Sequence, residues 1–257
     1  MDDATENEEQ SRPFVVPCSK LALNAPLTWL RAGWEDLRQT PKLSLAYGLV
    51  IFIVSWALSA LALKLGSFAL LAALLSGFVF FAPLLAVGLY SISRDRELGR
   101  APSAKSAWKL AKRVAGQAGV FALGQMVILM IWSRSGMMLN AFFPIQSGDT
   151  QSLLEFLAVG SAIGTVFASL TFAIAAFSLP MIAERNVDMI TACVSSINAV
   201  LRNKAVCLVW ATLIALLTGL GIATFGLGLI IIMPWLAFAA WHSYRETLDA
   251  SSWPRLP

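Results

Sequence analysis

The sequence predicts an all-α polytopic membrane protein: six transmembrane helices, three amphipathic helices at the cytoplasmic interface, and a threefold helix-hairpin repeat. Three observations carry that expectation. Of 257 residues, 58% are hydrophobic and 13% charged, against about 25% charged in soluble domains, and the mean hydropathy is +0.71. The charges are segregated, leaving apolar runs long enough to cross ~30 Å of hydrocarbon. The basic residues fall in alternate inter-run segments, which is how loops facing the cytoplasm are marked.

Taken in order, residues 1–20 read as a disordered polar tail, with Asp2, Asp3, Glu6, Glu8 and Glu9 near its start. Nothing there resembles a cleavable leader, so the first span is expected to direct insertion. The membrane domain is expected over 21–248, and 249–257 as a short C-terminal tail. Between Leu43 and Ile92 the one charge is Lys64, which divides the stretch into helices over 43–63 and 66–92. Residues 114–133 and 156–183 are charge-free and predict the third and fourth spans. The run 205–241 is uncharged for 37 residues; as one helix it would measure ~55 Å. Glycines at 219, 221, 226 and 228 therefore predict a tight hairpin, the fifth and sixth spans.

This arrangement places 17 of the 19 lysines and arginines on one side, with Lys64 and Arg134 outside. The expected location is the inner membrane with both termini cytoplasmic. A net charge of +4 and a pI near 9.1 are explained by these loops, so no nucleic-acid partner is expected.

Each odd-numbered span follows an amphipathic segment. In the first, Leu27, Leu30, Trp34 and Leu37 form the apolar face beside Thr28, Arg31, Glu35 and Arg38, with Pro26 suited to a first turn. In the second, Lys105, Lys109, Lys112 and Arg113 share a face against Ala104, Ala107, Trp108 and Ala111. In the third, Ile190, Val194, Ile197 and Leu201 oppose Thr191, Ser195, Asn198 and Arg202, and Asp188 stands as N-cap. The return spans carry Pro83, Pro180 and Pro234, each followed by a charged group: SRDRE, AERNVD and SYRE. Interfacial helix, span and proline-bearing return span would repeat with a period of roughly 80 residues.

Ionisable groups within spans are costly and mark function when they occur. The central regions of the six spans hold no Asp, Glu, Lys or Arg, which argues against ion-coupled transport and intramembrane acid–base catalysis. His242, the single histidine, is the lone candidate ligand or base. Without neighbouring Cys, His or carboxylate ligands in sequence it makes a poor metal site, and the interfacial cluster WHSYR accounts for it more simply. Cys18, Cys193 and Cys207 show no metal or disulfide spacing and read as small buried residues. No cofactor is expected.

On the fourth span Gly160, Gly164 and Ala168 recur every four residues beside Ser161, Thr165 and Ser169, a pattern that predicts a close helix–helix seam. Gln117 and Gln125 on the third span need partners in apolar surroundings, and those hydroxyls are the obvious ones. Lys105, Lys109, Lys112 and Arg113 are the candidate contacts for anionic lipid headgroups, at about 1 kcal/mol per cation near the surface. Residues 134–154 are apolar enough to lie on the outer interface.

Four stretches, PLTWLRAGWEDL (26–37), FAPLLAVGLYSISRDRE (81–97), SLPMIAERNVD (178–188) and AWHSYRE (240–246), resemble a bacterial family of predicted integral membrane proteins known only as a domain of unknown function. The resemblance covers about residues 20–248 and implies membrane residence without an activity. The plan is also similar to the membrane domain attached to some glycerophosphodiester phosphodiesterases, an analogy of architecture alone. The expected role is a non-enzymatic accessory, assembly or lipid-interacting protein whose partners are membrane lipids, anionic ones included, or other membrane proteins. The alternative is an uncoupled transporter or channel with a polar cavity lined by Gln117, Gln125, Ser161, Thr165 and Ser169.

Overall fold

The computed structural model describes residues 13–65, 85–143 and 150–256. Regular structure among them is helical: α1 (Ala25–Gln39), α2 (Pro41–Leu65), α3 (85–97), α4 (Ala104–Phe142), α5 (Thr150–Ala175), α6 (Ser178–Glu184), α7 (Met189–Arg202), α8 (Lys204–Ala223) and α9 (Leu229–Thr247). Four stretches are long and apolar enough to cross a membrane: Pro41–Leu61, Ala104–Leu139, Thr150–Glu184 and Lys204–Ala223. The expected second span, with Pro83 and the first twelve residues of the acidic tail, lies largely outside the described residues, as does 144–149 of the outer loop.

The hairpin expected within 205–241 is present. Phe225 and Gly226 take φ of 55° and 85°, the left-handed region that glycine enters freely. Thr224 Oγ1 donates to Gly221 O and accepts from Gly228 N at 2.7 Å each, so one hydroxyl closes the turn. A side chain at Gly228 would sit 3.0 Å from the Gly221 Cα, which explains the pairing of these two glycines.

Both return-span prolines among the described residues, Pro180 and Pro234, break the ladder, and both breaks are filled. At Ala176–Phe177, before Pro180, Ser196 Oγ donates to Ala173 O at 2.7 Å and accepts from Phe177 N at 3.1 Å. A hydroxyl from α7 is thus inserted between α5 and α6. Pro234 leaves Ile230 O without its helical donor. Gly48 of α2 packs there so closely that a Cβ would lie 1.8 Å from that oxygen. Gly33 of α1 approaches α9 similarly: a Cβ there would lie 2.6 Å from Ala239 N. α9 is accordingly packed against α1 and α2.

Two expectations about amphipathic faces are corrected. On α7 the buried residues are Met189, Thr191, Ala192, Ser195, Ser196 and Ala199, while Ile190 and Leu201 are exposed. The small and hydroxyl-bearing face packs inward because it lets backbones approach, and lipid gives large aliphatic chains no reason to leave it. On α1 the apolar stripe splits: Leu30 and Leu37 are buried with Trp29 and Asp36, whereas Leu27 and Trp34 face outward.

The second amphipathic segment is not a separate helix. Residues 104–113 are the first third of α4, a continuous helix of 39 residues, ~58 Å long. A straight rod cannot lie flat at the interface and also cross it, so these residues form the end of a span. Nor are residues 13–20 and 249–256 loose. Val16 is fully buried and Trp253 is 5% exposed, and Ser19 N donates to Thr247 O and Asp249 N to Pro17 O. Residues 13–20 and 249–256 are thereby woven into one polar end of the molecule.

Candidate functional site

The polar end gathers the three charged groups that follow the return-span prolines. Glu184, its side chain 5% exposed, lies 3.1 Å from Arg245 Nη1, 3.4 Å from Arg255 Nε and 3.2 Å from Arg185 Nε. The last contact is at ion-pair distance but out of line for a hydrogen bond. Tyr244 donates its hydroxyl to Glu184 at 2.7 Å. Arg185 Nη1 donates to Trp253 O at 2.8 Å, tying the hub to the C-terminal segment.

His242 belongs to a neighbouring cluster rather than to a metal or triad site. Its Nε2 is 2.9 Å from Asp36 Oδ2 and its Nδ1 4.0 Å from Glu97. Asp36 also accepts from Ser93 and Arg96, and Glu97 pairs with Arg245 and accepts from Trp241 Nε1. The histidine therefore bridges carboxylates on α1 and α3 from α9. Among the described residues no group of three or more His, Cys, Asp or Glu is placed to hold a metal.

A cleft lies beside this end, between α3 and α4. α3 closes in a Schellman turn: Arg100 N donates to Asp95 O and Gly99 N to Arg96 O, with Gly99 at φ 66°. α4 starts with a capping box in which Ser103 and Ser106 bond reciprocally, and Ser106 Oγ donates to Asp95 Oδ2 at 2.7 Å. These local devices fix the two helices side by side. Between them is a cleft of about 570 Å³ lined by Arg94, Arg100, Lys109, Lys112 and Arg113, with Asp95 as its carboxylate. Arg94 is 7% exposed and donates Nη2 to Leu256 O. Burial lowers its pKa from the ordinary guanidinium value; Asp95 and Glu184 oppose that shift, and Arg100 and Arg113 add to it. Mutually repelling cations around a cavity fit an anionic occupant: Arg offers planar paired donors for phosphate and Lys a point charge.

The structure brings Lys109, Lys112 and Arg113 to this cleft and leaves Lys105 exposed outside its lining. Arg94 on α3 and Arg100 in the turn that closes it complete the lining; reading along one helix does not join them to the lysines. Trp108 does not oppose the cations. It stands three residues from Lys105 and four from Lys112, hence on their face. It is 64% exposed, with the Lys112 ammonium 5.2 Å from its ring centre, whereas Ala107 and Ala111 are buried.

The polar seam reads differently from expectation. Gln117 Oε1 accepts from Met189 N at 2.8 Å, so its partner is the start of α7, and Gln125 is half-buried. Ser161, Thr165, Ala168 and Ser169 are exposed, and Thr165 bonds back to Ser161 O. Gly160 does meet a neighbour, Leu139 at 3.1 Å from an added Cβ, but Gly164 has nothing within 4 Å. The stripe faces outward, and the glutamines and hydroxyls do not come together among the described residues.

Residues 70–184 match the model of a family described as predicted integral membrane protein (DUF2189). The five cations of the cleft and Glu184 all lie within that stretch. No curated protein and no solved structure matches the chain. With four apolar helices of membrane-crossing length among the described residues, the chain is an integral membrane protein.

Proposed function

We propose that this is a six-span, non-enzymatic protein of a bacterial inner membrane, with both terminal segments cytoplasmic, that acts by holding the headgroup of an anionic lipid. The observation that carries the reading is the cleft, in which five cations surround a cavity with a single carboxylate. The span count is supported by chain continuity. Leu65 ends a 25-residue helix, ~37 Å from its start, and Arg96 is back in contact with Asp36, which fits a return crossing before Arg96. α9 likewise returns from the 224–228 turn to Thr247 beside Ser19. Contact between the two terminal segments requires an even number of crossings.

The test replaces Lys105, Lys109, Lys112 and Arg113 with glutamine and measures retention of anionic against zwitterionic lipid on the purified protein. At about 1 kcal/mol for each of the three that line the cleft, anionic lipid should bind about a hundredfold more weakly, and the difference should shrink with salt. Equal retention by parent and variant sinks the lipid reading. Cysteine probes at 100 and 250 should be protected from external labelling of intact cells; their labelling would overturn the topology.

A further inference from the structure

The basic cleft has a neighbour. A second cleft, of about 360 Å³, is lined by Arg113, Gln117, Arg185, Asn186, Arg255 and Leu256, among others. Arg113 borders both spaces. The two are also linked by the bond from Arg94, which lines the first cleft, to Leu256 O, which lines the second. Leu256 is itself anchored by its N–H on Glu184 O, and Pro254 O by Asn186 N, each at 2.8 Å. No carboxylate lines the second cleft among the described residues. Two cation-lined spaces thus stand on either side of one guanidinium, whose donors form a planar fork.

We propose that the two clefts together bind one molecule carrying two phosphate groups on a short linker, and that this molecule is a lipid; the proposal rests on the anionic-lipid reading above. Two separate monoanionic headgroups would have to be localised independently and would repel each other. A tethered pair is localised once, and the second contact then forms at high effective concentration. The lipid source is favoured by α4 itself. Below Lys112, the positions Gly116, Val120, Leu123 and Val127 continue down the same helical face. Val120, Leu123 and Val127 are all more than half exposed, and a Cβ at Gly116 or Gly119 would meet nothing within 4 Å. An exposed apolar strip of α4 therefore leads away from the cations, along which an acyl chain can lie and for which a soluble bisphosphate has no use. Trp108, exposed beside Lys112, stands at its head.

The experiment uses the full-length protein in phosphatidylcholine nanodiscs, titrated with diphosphatidylglycerol or phosphatidylglycerol and read by native mass spectrometry, with sodium pyrophosphate as soluble competitor. One diphosphatidylglycerol should be retained per chain, at least about tenfold more tightly than phosphatidylglycerol at equal phosphate. Arg255→Gln, at a side chain 54% exposed, should reduce that preference while leaving phosphatidylglycerol binding in the first cleft unchanged. Arg113→Gln should abolish the preference, with unfolding temperature measured for both variants. Equal binding of the two lipids per phosphate overturns the two-phosphate proposal and leaves the anionic-lipid reading standing. Failure to retain either lipid over phosphatidylcholine overturns both. Displacement of bound lipid by millimolar pyrophosphate, with tighter binding of pyrophosphate than of diphosphatidylglycerol, overturns the lipid as ligand.

Discussion

The polar end and the apolar half of this molecule are held by different means. At the polar end aromatic side chains are packed out of contact with solvent: Trp29 meets Trp210 edge-on at 5.6 Å, and Trp241 lies between Tyr90 and Tyr244. Buried charges there are tied in chains running through Asp36, Glu97 and Glu184. In the apolar half α5 has no buried residue, and Met130, Ile131, Val166, Leu216 and Phe225 are exposed. Lipid tails are as apolar as leucine, so nothing drives those chains inward. Water at the polar end does exert that drive. The two halves therefore differ in how much a single side chain matters.

The sharpest test of that difference is Glu184→Gln. Removing the shared acid leaves Arg185, Arg245 and Arg255 without their common counter-charge, a loss of about 3–5 kcal/mol when a buried pair is broken. Thermal unfolding of the detergent-purified protein, followed by tryptophan fluorescence, should show a drop larger than for any single substitution on α5. An unchanged midpoint would mean the hub is ornamental to stability.

Gly48→Ala should come next. A Cβ placed 1.8 Å from Ile230 O forces α2 off α9, at about 1–3 kcal/mol for an overpacked contact. Gly164→Ala, with open space around it, should instead be neutral or stabilising by about 0.5–1 kcal/mol, the gain from replacing a helical glycine. If the two variants melt alike, the apolar half is packed by close backbone approach after all and the contrast fails.

Asp188→Ala is expected to be smaller, about 1 kcal/mol for a lost N-cap. The Asp188 carboxyl is held below its usual range: burial alone would raise it, but the bonds from Thr191 and nearby backbone outweigh that. A depressed folded pKa stabilises above the unfolded carboxylate value of about 4 and loses that contribution as pH falls through the folded one. Parent and variant should therefore converge in acid; a constant gap in unfolding midpoint from pH 7 to 3 would show that Asp188 acts through something other than its charge.

What the sequence makes legible here is local. Helical class, the 219–228 hairpin, the cap at Asp188 and the breaks at Pro180 and Pro234 each follow from residues within one or two turns of one another. α4 was divided in expectation because its charges stop at Arg113, yet no helix breaker stands there; polarity changed while the backbone did not. The stripe from Gly160 to Ala168 shows where close approach is permitted, not where it happens. Among the described residues the tightest approaches to another helix's backbone are at Gly33 and Gly48, isolated glycines without a pattern. The cleft was half visible, since Lys109, Lys112 and Arg113 share a helix, but Arg94 and Arg100 join them only through the Gly99 turn. The Glu184 hub needs pairings over 60 residues and more. Its one trace in sequence is the charged group after each return-span proline.

The weaving of residues 13–20 with 247–256 also sets an order in time. Ser19 meets Thr247 some 230 positions later in the chain. At 5–20 residues per second of synthesis, the early segment waits about ten to fifty seconds for its partner. During that interval the helical hairpins can enter the bilayer one after another, but Val16 has no Leu248 or Trp253 to share its core. Closure of the polar end therefore waits until residues 247–253 have been made.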